Sequence, residues 1–360
     1  MIVTTAPGKL YIAGEYAVVE PGYPAILVAV DQFITVSLEK SLDEGSISSY
    51  GSIPILWTRE NDKLILDQRD NRLFYTMAAI NIVETYAKEQ GRKLTFYHLK
   101  ISSELETNKG KKYGLGSSAT VTVATVEALC RYYEIRISNE QLFKLAALAH
   151  LEINSNGSCG DVAASVYGGW IAFKTFDKNW VLQQKKNNTV TELLIKQWPS
   201  LSIELLTPPE ELKLVVGWTG LPASTASLVD KVNDKRTQNS ILYKKFLHDS
   251  EKCVTKMIVA FKENNIKEIQ KQIQINRELL VKMSKDLDVI IETPLLTKLC
   301  NIALQFNGYA KSSGAGGGDC GIVIFQDHNN LTQLIDEWKK LNITYLPLKV
   351  YQKKGDKIEY

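Results

Sequence analysis

The stretch that most constrains this chain is Gly114-Leu115-Gly116-Ser117-Ser118, which is followed at once by an apolar run at 119–133. Two glycines let a backbone approach a ligand closely and turn several N–H groups toward it, and two serines add hydroxyl groups. Apolar residues lie on nearly every side of a helical wheel for 119–133, which predicts a buried helix starting at the loop. The unpaired N–H groups and positive dipole end of that helix favour an anion. We therefore predict a phosphate-binding loop.

A flexible glycine-serine connection is the other interpretation, and the loop alone does not decide between the two. The chain contains no G-x-x-x-x-G-K-[ST] sequence, so the loop is not a Walker A loop. Ala119 stands where a G-x-G-x-x-G sequence would need its third glycine, which disfavours a dinucleotide-binding enzyme. Lys111 and Lys112, just upstream of the loop, add positive charge and favour a polyphosphate.

The composition is that of a globular protein with no strong charge bias. The 360 residues favour two domains, and the net charge of +3 gives no reason to expect a nucleic acid or a membrane surface as partner. Five cysteines without CxxC spacing favour a reducing compartment, and four dispersed histidines do not suggest a metal site. We find no signal peptide and no apolar run of about 18–20 residues, so we expect a cytoplasmic protein.

Both halves of the chain mix strand and helix patterns without regular βαβ alternation, which predicts an α+β fold. In the first half, helices are expected at about 72–90, 119–133 and 138–152, the last from a capping box of Ser138 and Gln141. In the second half, Thr293-Pro294 is typical of a helix start. A polar stretch at 177–200 suggests the boundary, giving domains 1–190 and 191–360.

Three motifs resemble those of the GHMP kinase superfamily, named for galactokinase, homoserine kinase, mevalonate kinase and phosphomevalonate kinase. They are PGKLYIAGEYAV at 7–18, GLGSSA at 114–119 and KSSGAGGGDCG at 311–321. Each is modest evidence alone, but all three occur in order across nearly the whole chain. The resemblance implies a two-domain GHMP kinase fold, with a ribosomal S5 domain 2-like N-terminal domain and a ferredoxin-like C-terminal domain.

Within that superfamily the chain most resembles the bacterial phosphomevalonate kinases. Lys111-Lys112-Tyr113 abuts the phosphate loop, and NGSCGD at 156–161 lacks the proline that mevalonate kinases usually carry before the aspartate. The resemblance implies transfer of a phosphoryl group from ATP, with Mg²⁺, to 5-phosphomevalonate. A mevalonate kinase acting on a hydroxyl group, a non-catalytic sensor and a nucleic-acid binder are the alternatives, and both a monomer and a homodimer stay open.

The resemblance gives Lys9 and Asp161 catalytic roles. Lys9, expected in a short loop after the first strand, would point at the transferring phosphate and offset its charge. Asp161 matches an aspartate that often serves as general base, but a phosphate monoester with a second pKa of about 6 is already mostly ionised at neutral pH. We therefore expect Asp161 to orient Lys9 instead. A surface lysine and a helix-capping aspartate are the structural alternatives.

The remaining candidate residues also follow from the resemblance. The ATP phosphates would contact Lys111, Lys112, Gly114, Leu115, Gly116, Ser117, Ser118 and Ala119. A second loop would close on the phosphates with Ser312, Ser313, Gly314, Ala315, Gly316 and Gly317. Weaker candidates for the acceptor site, each equally a turn or buried structural residue, are Glu15, Tyr16, Ser155, Asn156, Gly157, Ser158 and Ser224.

Ser118 is the candidate magnesium ligand by its position in the loop. Many family members add a glutamate from the helix before the aspartate loop, but His150 stands eleven residues before Asp161 here. Because Mg²⁺ dehydrates reluctantly, phosphates and water can supply most of its coordination.

Overall fold

Two β-sheets organise the chain in a computed structural model, which describes residues 1–49, 52–67, 73–107, 110–221, 228–232, 235, 240–326 and 330–353. The strands of the first sheet are β1 (Ile2–Ala13), β2 (Pro24–Ser41), β3 (Gly45–Ser49), β4 (Ile55–Glu60), β5 (Lys63–Leu66), β6 (Phe96–Ser103), β7 (Trp170–Lys174) and β8 (Ser202–Leu206). Those of the second are β9 (Lys213–Trp218), β10 (Tyr309–Ser312), β11 (Cys320–Phe325) and β12 (Thr344–Leu346).

The helices in the first half are α1 (Phe74–Glu89), α2 (Ser117–Tyr132), α3 (Asn139–Ile153), α4 (Gly160–Tyr167), α5 (Lys178–Asn187) and α6 (Val190–Ile195). Those in the second half are α7 (Ser240–Lys262), α8 (Ile266–Asp286), α9 (Pro294–Gln305) and α10 (Leu331–Lys340). Helices and mostly antiparallel strands thus occur in both halves, and the predicted α+β class is confirmed.

The first sheet has the order β5-β4-β3-β6-β2-β7-β8, with β1 pairing along β2. All its pairs are antiparallel except β3 with β6. The predicted buried helix is α2, which packs against β1 and β2 on one side and against α1 and α3 on the other. Its apolar residues on all sides follow from this position, because both of its faces lie in the core.

Local sequence signals for two helix starts are confirmed. Ser138 and Gln141 form the predicted capping box at the start of α3, each side chain bonded to the other's backbone N–H. Thr293 caps α9 through the N–H of Leu296, and Pro294 occupies the first turn. These signals depend only on neighbouring residues, so they can be recognised in the sequence alone.

The second sheet has the antiparallel order β10-β11-β9-β12. Helices α9 and α10 cover one face, with Leu299 and Trp338 in the core between them and the sheet. Helices α7 and α8 lie between the two sheets, where α7 contacts β2 and β8 and α8 contacts β10 and β11. A continuous apolar core therefore joins the two halves. Within it, the ring centres of Phe261 in α7 and Trp170 in β7 are 5.3 Å apart.

The position of the predicted domain boundary at 190/191 stays a prediction. Strand β8, which follows that boundary, pairs with β7 in the first sheet. The chain also returns to the first sheet near its end, where the backbones of Ala29 and Tyr351 are hydrogen-bonded. No helix among the described residues is long and apolar enough to cross a membrane.

Candidate active site

A cavity of about 660 Å³ lies where β1, the phosphate loop and the glycine-rich loop before β11 meet. The start of α1, the end of α3 and the start of α4 complete its wall. The cavity thus draws residues from all three motifs, which are separated in the chain by 95 residues (19–113) and 191 residues (120–310).

Lys9 lies within β1, so its predicted position in a loop after the first strand is wrong. The pairing of β1 with β2 shifts register between Pro7 and Gly8, and the strand continues past this bulge. The Lys9 side chain is 7% exposed, and its Nζ is 3.5 Å from the carbonyl oxygen of Gly114. The backbone N–H of Lys9 also donates to the carbonyl of Leu115 at 2.9 Å. The lysine is therefore held against the phosphate loop and not left on the surface.

The phosphate loop has the geometry that its glycines predict. Gly114 and Gly116 adopt φ values of 82° and 85°, and Gly116 is the N-cap of α2. A Cβ atom on Gly116 would lie 2.8 Å from Cε of Lys9. The loop can pass this close to the lysine only because residue 116 has no side chain.

Ser117 and Ser118 form the first turn of α2 and line the cavity. Tyr75, from the start of α1, lies beside Ser118 in the cavity wall. Burial raises the pKa of Tyr75, and the nearby charge of Asp161 adds to that effect. Tyr75 therefore stays a neutral hydroxyl group beside Ser118.

Asp161 lies in the first turn of α4 and lines the cavity. Its Oδ1 accepts a hydrogen bond from the N–H of Val162 at 3.0 Å. Among the described residues, no ion pair within 4.0 Å joins Asp161 to Lys9. The expected orientation of Lys9 by Asp161 therefore has no direct contact in this conformation and stays a prediction.

Glu15 and Lys311 form a buried ion pair beneath the cavity. The Lys311 ammonium donates to Oε1 of Glu15 and to the carbonyl of Ser312. The N–H of Gly314 also donates to Oε1 of Glu15, at 3.3 Å. Glu15 thus ties the first motif to the glycine-rich loop.

Two tyrosines of the first motif bind the same glycine-rich loop. The backbone N–H of Tyr11 donates to Oγ of Ser313 at 2.9 Å, and that hydroxyl donates back to the carbonyl of Tyr11. The hydroxyl of Tyr16 donates to the carbonyl of Ala315. Deeper in the loop, the N–H of Gly317 donates to the carbonyl of Ile291 at 2.7 Å. The loop is therefore anchored from both halves of the chain.

The loop before α4 supplies the far wall of the cavity. Oγ of Ser158 is 2.9 Å from the hydroxyl of Tyr11, within hydrogen-bond distance. Asn156 instead donates to Asp230 at 2.8 Å, and Ser155 is exposed. Ser224 lies outside the described residues.

The structure brings most of the predicted site residues to one cavity. Those that line it are Lys9, Glu15, Tyr16, Lys111, Lys112, Gly114, Gly116, Ser117, Ser118, Gly157, Ser158, Asp161, Ser313, Gly314 and Ala315. Those described residues that do not line it are Leu115, Ala119, Ser155, Asn156, Ser312, Gly316 and Gly317. The side chains of Leu115 and Ala119 are buried in the core beneath the loop.

Sequence reasoning missed Tyr11, Tyr75 and Asp319, which also line the cavity. Tyr11 would have followed from assigning Lys9 to a strand, because residues two apart in a strand face the same side. The Lys9 ammonium lies 5.4 Å from the centre of the Tyr11 ring. A Cβ atom on Gly114 would meet the Asp319 carboxylate at 2.6 Å, a contact between residues 205 positions apart that no local pattern predicts.

His150 lies near the end of α3 and lines the cavity. Its ring lies against that of Tyr75, with 4.9 Å between ring centres and 35° between the ring planes. Burial lowers the pKa of His150, although the charge of Asp161 opposes that shift. Neither ring nitrogen has a hydrogen-bond partner among the residues that the structure describes.

The donors near Ser118 fit a magnesium ion held largely by phosphates and water. The oxygen ligands nearby are the Ser118 hydroxyl and the Asp161 carboxylate, which suit a hard cation. No group of three or more His, Cys, Asp or Glu residues in the described ranges could hold a metal by itself.

Buried thiols flank both loops but are poor nucleophiles. Burial raises the pKa of Cys159 and of Cys320, so both stay protonated at neutral pH.

Two family models match the chain. The GHMP kinases N terminal domain matches residues 75–169, and the GHMP kinases C terminal matches residues 257–343. The phosphomevalonate kinase of Streptomyces sp. (strain CL190) is 38% identical, with 96% of each chain covered. The mevalonate kinase of Thermococcus onnurineus is 28% identical, covering 89% of this chain and 87% of the relative.

A solved structure with the same architecture carries bound ligands. The Streptococcus pneumoniae phosphomevalonate kinase in complex with phosphomevalonate and AMPPNP superposes with a TM-score of 0.85 at 29% identity. The superposition covers 98% of this chain and 100% of that one. The arrangement of the two sheets is therefore that of the solved enzyme.

Proposed function

Because this chain belongs to the GHMP kinase family, we propose that it is a phosphomevalonate kinase. The reaction is transfer of the γ-phosphoryl group of ATP to 5-phosphomevalonate, giving ADP and 5-diphosphomevalonate. The observation that carries this proposal is the position of Lys9, buried in a cavity that all three motifs line and held against the phosphate loop.

The charges of the cavity suit two phosphate-bearing substrates. Lys111 and Lys112 are exposed at its rim, and Lys9 lies deeper within it. The negative charge of Glu15 is offset by its ion pair with Lys311. The ATP phosphates would lie on the backbone N–H groups at Gly114–Ser118, where the N-terminus of α2 favours an anion.

We propose direct in-line transfer supported by positioning and electrostatics. Lys9 would offset the charge on the oxygens of the transferring phosphoryl group, where a preorganised cation acts most strongly in a water-poor site. The acceptor phosphate needs no proton removed, because its second pKa is about 6. Asp161 would then shape the local field and hold Lys9 in place once the substrates are bound.

Magnesium, when bound, would neutralise charge on the ATP phosphates. Ser118 would contribute its hydroxyl group, and the neighbouring Tyr75 would restrict the position of that side chain.

A mevalonate kinase is the second candidate, because relatives with that activity share the fold. The lower identity of the Thermococcus onnurineus relative, compared with the Streptomyces enzyme, favours the phosphate acceptor. The GSCGD sequence at 157–161 lacks the proline that mevalonate kinases usually carry before the aspartate, which also favours the phosphate acceptor.

The product identifies the reaction. The purified protein is incubated with ATP, Mg²⁺ and 5-phosphomevalonate, and the mixture is followed by ³¹P NMR. We expect the monoester signal to be replaced by the two coupled signals of a diphosphate, and the Lys9→Met variant to form it far more slowly. ATP binding without any diphosphate product would contradict the proposal and favour a sensor.

A further inference from the structure

His150 is a buried polar side chain for which the surrounding described residues supply no hydrogen-bond partner. It is 2% exposed, yet neither Nδ1 nor Nε2 has a hydrogen-bond partner among the described residues. A buried polar group left unpaired destabilises the folded protein, and native proteins rarely retain one without a role. His150 lines the cavity, but both ring nitrogens are covered in this structure, so a ligand reaches a ring N–H only after a small rearrangement of the cavity wall.

The neighbours of His150 are residues of the candidate site. The ring lies against Tyr75 at an angle of 35°, and Tyr75 lies beside Ser118 of the phosphate loop. The charge of Asp161 acts on both rings. His150 therefore lines the same cavity as Ser118 and Asp161.

The state of the ring defines what it can bind. Burial favours the neutral imidazole, which has one N–H donor and one lone pair. A neutral donor adds no negative charge to a cavity that must accept two anionic substrates. A carboxylate at the same place would repel both of them unless a metal ion intervened.

We propose that His150 donates a ring N–H to a phosphoryl oxygen of a bound substrate and is thus a binding residue of the site. This inference rests on the proposed function, because it takes a phosphate ligand as the occupant. The phosphoryl oxygen belongs either to ATP or to 5-phosphomevalonate, and the test separates the two. The alternative of direct metal ligation has less support, since the described residues hold no cluster of metal-binding side chains around His150.

The direct test observes the ring N–H itself. The wild-type protein is labelled with [¹⁵N]histidine, and its four histidines keep the ring region of the spectrum simple. AMPPNP with Mg²⁺ and 5-phosphomevalonate are titrated separately, and the His150 signal is identified by its loss in His150→Gln. We expect a slowly exchanging ring N–H signal to emerge with one of the two ligands, which identifies the phosphate that His150 binds.

Three substitutions measure how much the proposed hydrogen bond contributes to the affinity for the ligand. His150→Leu removes the donor, whereas His150→Gln and His150→Asn each keep a neutral N–H donor near one ring nitrogen. We expect His150→Leu to weaken binding of the same ligand by about 10- to 100-fold, as for a lost hydrogen bond to a charged group. At least one of the amide variants should retain more affinity than His150→Leu. His98→Gln, which changes an exposed histidine on β6, is the control.

Stability separates this role from a structural one. Because His150 has no internal partner, His150→Leu should unfold at a temperature no lower than the wild type when no ligand is present. If both ligands bind the wild type but neither affects the His150 signal, and His150→Leu binds both normally, the inference is overturned. If neither ligand binds the wild type, the proposed function itself fails.

Discussion

Lys311 donates a hydrogen bond from its ammonium group to the carboxylate of Glu15, and both side chains are buried. The two residues lie 296 positions apart and belong to the first and third motifs. The second oxygen of the carboxylate, Oε2, is buried and has no partner in the described part of the chain. The pair therefore fixes the glycine-rich loop to the end of β1, and removing it should lower both the stability and the activity of the protein.

Breaking this pair should destabilise the protein strongly. Lys311→Met leaves the Glu15 carboxylate buried without its counter-charge, and we expect a loss of about 3–5 kcal/mol in the free energy of unfolding. Urea unfolding measures the change. Lys340→Ala is the control, since it removes an exposed pair with Glu337 that should contribute at most about 1 kcal/mol. An equal, small loss in both variants would show that the buried pair does not hold the loop.

Gly116→Ala should reduce turnover by displacing Lys9. The new Cβ would lie 2.8 Å from Cε of Lys9 at a backbone φ of +85°. We expect kcat to fall by about 100-fold, the scale for a displacement of roughly 1 Å in a reacting group. Gly91→Ala has a φ of +72° but meets nothing within 4 Å, so it should lose only stability. Steady-state kinetics of both variants make the comparison, and an unchanged kcat in Gly116→Ala would show that Lys9 tolerates the displacement.

Asp161→Asn should lower kcat without changing the shape of its pH profile. If the acceptor phosphate is the group that must ionise, activity falls below about pH 6 in both proteins. The profile of kcat against pH is measured for the wild type and the variant. An ionisation that is present in the wild type but lost in Asp161→Asn would instead identify the aspartate as an obligatory base.

His150 should make the stability of the ligand-free protein depend on pH. Its pKa is lowered in the folded state from a typical unfolded value of about 6.5. Between the two values the unfolded state binds the proton and the folded state does not, so the free energy of unfolding rises with pH. The folded protein therefore has the full stability that goes with a neutral His150 ring above about pH 6.5. That part of the free energy of unfolding is lost as the pH falls.

Urea unfolding of the wild type and His150→Gln across this pH range isolates the effect. The difference in stability between the two proteins should grow as the pH rises, whereas His98→Gln should keep the slope of the wild type. A constant difference between wild type and His150→Gln would show that His150 does not titrate differently on folding.

Local features of the fold could be predicted from sequence, and contacts between distant residues could not. The start of α2 and the caps at Ser138 and Thr293 depend on residues within one helical turn, and the structure has all three. The register shift in β1 depends on its pairing with β2, so the strand position of Lys9 was missed.

The same distinction applies to the candidate site. Motif position brought Lys9, Ser118 and Asp161 to one cavity, but it did not indicate which side chains face that cavity. Glu15 was a weak candidate for the acceptor site, and its partner Lys311 could be identified only once β1 and β10 were in place. His150 was recognised as a departure from the family pattern, while its unpaired ring nitrogens became evident only in the folded protein.

The most direct test of the central claim compares two acceptors side by side. The value of kcat/KM is measured with ATP and either 5-phosphomevalonate or mevalonate under the same conditions. A site built to bind the acceptor phosphate should favour 5-phosphomevalonate by about 10⁴-fold, because mevalonate leaves those binding groups unpaired. Equal or greater kcat/KM with mevalonate would contradict the account.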